Sequence, residues 1–158
     1  MNRASESRQL LYLDDLRVGQ RFTTDTYFMN EDRMKAFAAE FDPQPFHLDE
    51  TSARDSIFRA LAASGWHTAA ATMRLIVTGE LRLAGGLIGL GGEIEWPRPT
   101  RAGDTLRVES EIIEIQPSRS KPNQGVVNVR STTLNQHGEA LQVFTAKLLV
   151  FKRPHASN

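Results

Sequence analysis

From Asn30 onward the apolar residues of this chain change period once. Between Asn30 and Gly79 they recur at helical spacing, and from Gly86 to Lys152 they alternate as in strands. Asn30 is a favoured N-cap, with Glu31 and Asp32 at the positive end of the helix dipole. Met34, Phe37, Ala38 and Phe41 follow as one stripe, and Pro43 ends that helix. Asp49 caps a short helix through Ala53 and Ile57. A third helix opens at Ser64-Gly65, with Trp66, Ala69, Ala70, Met73, Ile76 and Val77 as its apolar stripe and Gly79 as its stop. An early strand over Gln20 to Met29 sets Phe22, Thr24, Thr26 and Phe28 on one face. Ile88, Leu90, Ile94 and Trp96 mark a later one, followed by Thr105 to Ile115, Gly125 to Leu134 and Ala140 to Lys152. The phase slips between Val108 and Ile113, which predicts a bulge, and Asn135-Gln136-His137-Gly138 predicts a hairpin turn. Several mostly antiparallel strands with the helices ahead of most of them make an α+β fold, a long sheet curled around one apolar helix.

The 158 residues hold no internal repeat and no low-complexity linker, so they read as one domain over 10–153. Residues 1–9 and 154–158 are polar and are expected to be flexible ends. Lys plus Arg and Asp plus Glu each total 19, a balance that weighs against nucleic acid as the main ligand. It leaves room for a small anionic ligand, which needs only a few local cations. The absence of Cys excludes disulfides, thiolate nucleophiles and Cys-ligated zinc. No run approaches about 18 apolar residues, and the polar start lacks the apolar core of a signal peptide. A cytoplasmic protein with no membrane partner is expected. The glycines at 85, 86, 89, 91 and 92 do not make a phosphate loop. They have neither the GxGxxG spacing nor a following Gly-Lys-Ser/Thr, and a strand rather than a helix comes next.

The densest chemical cluster is Asp42-Pro43-Gln44-Pro45-Phe46-His47-Leu48-Asp49. A carboxylate and an imidazole lie five residues apart with two φ-fixing prolines between them. Such a loop can hold an acid and a base at a set distance for proton transfer. It can equally be a helix end with punctuating prolines and a surface histidine. Ser64-Gly65 adds a helix N-terminus, where free N–H groups favour negative charge and Gly lets an oxygen approach. An acid, a base and an oxyanion donor are the set needed to make or quench an enolate. Equally, Ser64 can simply cap and Gly65 simply permit a tight entry. Phe46 and Trp66 flank this cluster as pocket walls or as ordinary core. Arg98, Arg101, Arg119 and Lys121 can meet phosphates or stay solvated. Arg74, which shares a helix face with His67, can meet an acidic acyl group or a neighbouring acid. His47 and Asp49 lack a third metal ligand, so no metal is expected.

Taken together these residues resemble the MaoC-like dehydratases, the family of the (R)-specific enoyl-CoA hydratases with the hot-dog fold. The family motif is Asp-x-Asn-Pro-x-His with an acidic residue two positions on, here Asp42 to His47 and Asp49. A His/Ser-Gly step opening the central helix stands as Ser64-Gly65. Glu95-Trp96-Pro97 and Pro99-Thr100-Arg101-Ala102-Gly103-Asp104 match the strand end and turn that follow. The likeness runs from about residue 15 to 152. It implies that Asp42 and His47 are the catalytic pair and that the Gly65 amide binds the thioester oxygen. Gln44, Phe46, Ser64, Trp66, Arg119 and Lys121 are the expected substrate contacts, the last two by their charge. The reaction would add water to the α,β double bond of an enoyl-CoA, or remove it from a 3-hydroxyacyl-CoA. CoA would be part of the substrate, with no cofactor or metal. A homodimer, or an oligomer of dimers, is expected because a lone hot-dog sheet has open edges. One departure stands out: Gln44 replaces the motif Asn and moves its amide by about one bond. Two other readings stay open, a hot-dog acyl-CoA thioesterase and a non-catalytic acyl-CoA binding subunit. Release of CoA thiol separates the first of these from a hydratase.

Overall fold

The computed structural model describes residues 9–155; most of the two expected flexible ends, 1–8 and 156–158, lies outside the described residues. The elements are β1 (Arg21–Thr23), β2 (Tyr27–Phe28), α1 (Glu31–Phe41), α2 (Pro45–Leu48), α3 (Glu50–Arg54), α4 (Gly65–Thr78), β3 (Ile88–Glu95), β4 (Thr105–Pro117), β5 (Gln124–Leu134) and β6 (Ala140–Phe151). The strands form one antiparallel sheet in the order β1-β4-β5-β6-β3, with β2 also on β4. This is the α+β hot-dog arrangement, and α4 is the helix that the sheet wraps, packed on β4 and β6. Among the described residues no helix is long and apolar enough to cross a membrane.

Local chemistry explains most element ends. The Asn30 side chain accepts from the Arg33 N–H and starts α1, and Asp42 ends it just before Pro43. Pro45 occupies the first turn of α2, where a missing N–H costs nothing, so the proline-rich stretch is itself partly helical. Asp49 caps α3 by accepting from the Ser52 N–H at 2.9 Å, which gives the acid after His47 a structural task. The expected bulge is present as a register shift between Ile112 and Glu114.

Two expectations need correction. The early strand is broken, because the Thr24 hydroxyl takes the Val108 N–H at 2.9 Å in place of a backbone carbonyl. The face therefore flips: Met29 is buried and Phe28 is exposed. Most of the stripe expected on α4 also points the other way, and of it only Ile76 is buried. The helix buries His67, Thr68, Ala71, Thr72, Leu75 and Ile76, and leaves Trp66, Met73 and Val77 exposed. Hydroxyl pairs decide this. Thr68 bonds Thr100 at 2.8 Å, and Thr72 bonds Thr133 at 2.6 Å while donating to the Thr68 carbonyl. Two fully paired hydroxyls fit a buried face at little cost, so an apolar stripe is not required there.

These pairs give a testable consequence. Thr72→Val strands the buried Thr133 hydroxyl and should cost about 1–3 kcal/mol. Thr72→Val with Thr133→Val should recover part of that loss, since both partners are then apolar and nearly isosteric. Urea unfolding of the two variants measures it, and a double variant weaker than the single one contradicts this account.

Candidate active site

Asp42 and His47 meet because α1 ends at one and the turn of α2 carries the other. His47 is buried, and its Nδ1 lies 2.6 Å from the Ala62 carbonyl. A carbonyl only accepts, so Nδ1 carries a proton and Nε2 is left to face Asp42. The Ala62 N–H returns a bond to the Phe46 carbonyl, so the two segments are tied twice. His47 Nε2 stands 3.2 Å from Asp42 Oδ2. Ser64 Oγ donates to the same oxygen at 2.7 Å, and Gln44 Nε2 donates to Oδ1 at 2.5 Å. The longer amide at 44 thus reaches back to brace the carboxylate.

This setting holds Asp42 ionised. Partial burial pushes its pKa up, but the Ser64 hydroxyl, the Gln44 amide and the charge of His47 together pull it further down. The carboxyl therefore sits below its ordinary range. His67, one turn into α4, is stacked on Phe37 at 4.6 Å, and burial pushes its imidazole down toward the neutral form.

Ser64 is buried and is the N-cap of α4, accepting from the Trp66 N–H at 3.3 Å. Its one proton is spent on Asp42. Gly65 is the first residue of α4, where N–H groups have no partner within the helix. A side chain at this position is excluded by the protein itself: a Cβ on Gly65 would lie 2.6 Å from the Trp96 ring. Trp96 stands edge-on to Trp66 at 5.4 Å and donates its indole N–H to Gln142 Oε1 at 3.0 Å.

A cavity of about 760 Å³ gathers Asp42, Gln44, Phe46, His47, Gly65 and Trp66, with Trp96 as a further wall. That size is ordinary for a small-ligand site. Arg119 and Lys121 stand apart. They lie in the β4–β5 connection and do not line this cavity. Arg98 and Arg101 do line it, but Arg98 pairs with Glu139 at 3.1 Å and Arg101 is occupied by backbone carbonyls. Arg74 is exposed on α4 away from it. Among the described residues no cluster of three or more His, Asp or Glu is placed to hold a metal ion. Gln142, Ala62 and Arg59 belong to the site or its frame without any local signal in the sequence, and Trp96, read there only as a strand end, joins them. Each acts through the tertiary path of the chain, and Ala62 acts through its backbone alone.

The Ser64 bond has a readable consequence. Ser64→Ala removes a donor to Asp42, so its carboxyl should titrate higher, toward the ordinary value of about 4. Carbon-13 carboxyl NMR follows this directly. The sign for stability follows from the lowered folded-state pKa. Ionised Asp42 stabilises the fold above the ordinary carboxylate value, and that contribution is lost as pH falls through the folded value. An Asp42 titration that does not move in the variant contradicts the assignment.

Comparison with known proteins identifies the family. Residues 15–135 match the family described as MaoC like domain. The chain is 33% identical over 141 residues to the uncharacterized protein YdeM of Bacillus subtilis, covering 87% of this chain and 96% of that one. It is 28% identical over 114 residues to the 3-hydroxybutyryl-CoA dehydratase of Methylorubrum extorquens, covering 72% of this chain and 71% of the other. The crystal structure of the MaoC-like dehydratase from Rhodospirillum rubrum superposes with a TM-score of 0.90 at 56% identity, over 92% of this chain and 99% of that one. With the match spanning most of the chain and its ionised Asp42 set against His47, this protein belongs to the MaoC-like domain family.

Proposed function

We infer that this protein is a hydro-lyase acting on acyl-CoA thioesters, adding water to an enoyl-CoA or removing it from a 3-hydroxyacyl-CoA. The observation that carries the reading is the pairing of Asp42 and His47 in one cavity with the first residue of α4. In the hydration direction a water sits in the cavity within hydrogen-bond reach of both Asp42 and His47 Nε2. The pair takes one proton from it while its oxygen forms the bond to the β-carbon. The α,β π electrons move toward the thioester carbonyl, and its oxygen gains negative charge. The Gly65 N–H and the positive end of α4 stabilise that oxygen. The retained proton then passes to the α-carbon, and the enolate collapses to the 3-hydroxyacyl thioester. So written, the reaction needs no metal and no redox cofactor. Ser64 and Gln44 act as positioning residues that hold the carboxylate ionised and aimed. Phe46 and Trp66 wall the acyl side of the cavity.

The assay is loss of enoyl-thioester absorbance with a thiol reagent in parallel. Asp42→Asn and His47→Ala should each lower turnover by about 10²–10⁴. The double variant should lose little more than either single one, because the two act on one water. Thiol release in place of hydration would make the protein a thioesterase. A wild type inert on a full enoyl-CoA panel would leave the binding-subunit reading.

The working unit we propose is an isologous homodimer. β3 is the last strand of the sheet and pairs on one side only. Ile88 and Leu90 of β3, and Trp96 just past its end, are exposed beside Trp66, Met73 and Val77 of α4, with Val77 at 46%. An apolar edge and helix face of this kind suit burial against a second copy. Sedimentation should show a dimer, and Val77→Glu should shift it toward monomer with the fold intact. A wild type that is monomeric at high concentration overturns this.

A further inference from the structure

Arg59 lines the same cavity as Asp42 and His47. Among the described residues it forms no ion pair within 4.0 Å, whereas Arg98 and Arg101 of the same cavity are both engaged. Its backbone is unusual as well. It is the one non-glycine with positive φ among the described residues, at 62°. Side chains disfavour that region, and a residue held there needs the surrounding structure to fix it. Here one guanidinium does so. Arg101 donates to the Ala60 and Leu61 carbonyls at 2.8 and 3.3 Å and to the Phe58 carbonyl at 2.5 Å. The carbonyls on both sides of Arg59 are therefore clamped, and the strained residue between them is presented rather than loose. A glycine would adopt this backbone without strain. A cationic side chain on a clamped turn at the rim of this cavity, with Glu31 and Glu50 lining the hollow on its other side but no ion pair formed among the described residues, is placed to receive an anion.

We propose that Arg59 binds an anionic oxygen group carried by the substrate: a carboxylate on the acyl chain or a phosphate of CoA. The proposal rests on the acyl-CoA reading above and deepens it. Binding rather than turnover tests it, so the two can fail separately. Titration calorimetry would compare four unreactive ligands: pentanoyl-CoA, glutaryl-CoA and the pantetheine thioesters of both. Arg59→Gln should weaken the ligands that carry the recognised group by about ten- to hundredfold, and Arg59→Lys should recover part of the loss. A loss confined to the two glutaryl ligands assigns the acyl carboxylate. A loss confined to the two CoA ligands assigns a phosphate. Arg59→Gln binding all four within about twofold of wild type overturns the proposal, as does an equal loss on all four, since pentanoyl-pantetheine carries no anion. Arg59→Gly, with the same charge removed and the strain relieved, should fold at least as stably and show the same selective loss. A wild type that binds none of the four fails the acyl-thioester reading itself, and this proposal with it.

Discussion

The bond from the Ser64 hydroxyl to Asp42 joins the two parts of the molecule that the chemistry needs together. Asp42 closes α1 and Ser64 opens α4, and 2.7 Å separates their oxygens. The same Ser64 oxygen accepts from the Trp66 N–H, so one atom caps the central helix and fixes the carboxylate. The spacing of the Asp42 carboxylate from the Gly65 amide is thus set by one hydrogen bond and the Ser64–Gly65 peptide link.

An ionised carboxylate in a partly buried site is costly unless its oxygens are satisfied. Gln44 on one oxygen, and Ser64 and His47 on the other, meet that cost. His47 is held from behind by a carbonyl, so it cannot turn away when its proton moves. The frame is backbone at the points that matter most: the Ala62 carbonyl and amide, and the amides at the start of α4. Groups of that kind do not rotate, and they need no reorganisation during proton transfer.

Asp42, His47 and the Ser64-Gly65 step were legible in the sequence because they are local: a proline-fixed loop and a helix start. The strands over 105–151 were legible for the same reason, since alternation is a local signal. What was not legible was longer in range. The stripe on α4 misled because a helix with apolar residues on one side and threonines on the other has two candidate inner faces. The partners at Thr100 and Thr133, far along the chain, choose between them. Thr24 breaks the early strand by bonding Val108, again a distant partner. Arg119 and Lys121 were candidates by charge alone, and charge carries no address. Arg59 had no signal, because its backbone conformation is imposed by Arg101 from across the loop.

The inverted face of α4 also links the cavity to the rest of the surface. Trp66 and Trp96 wall the cavity at Gly65, and both belong to the exposed apolar patch that runs along α4 and β3. Trp96 packs so closely on Gly65 that its ring position sets the space left over the α4 N-terminus. Gln142 anchors the ring through a single bond to the indole nitrogen, leaving its own amide nitrogen without a partner. A single bond fixes the ring's edge but not its tilt. A second copy covering the patch would therefore complete the wall of the cavity at Gly65 and fix the tilt of the Trp96 ring.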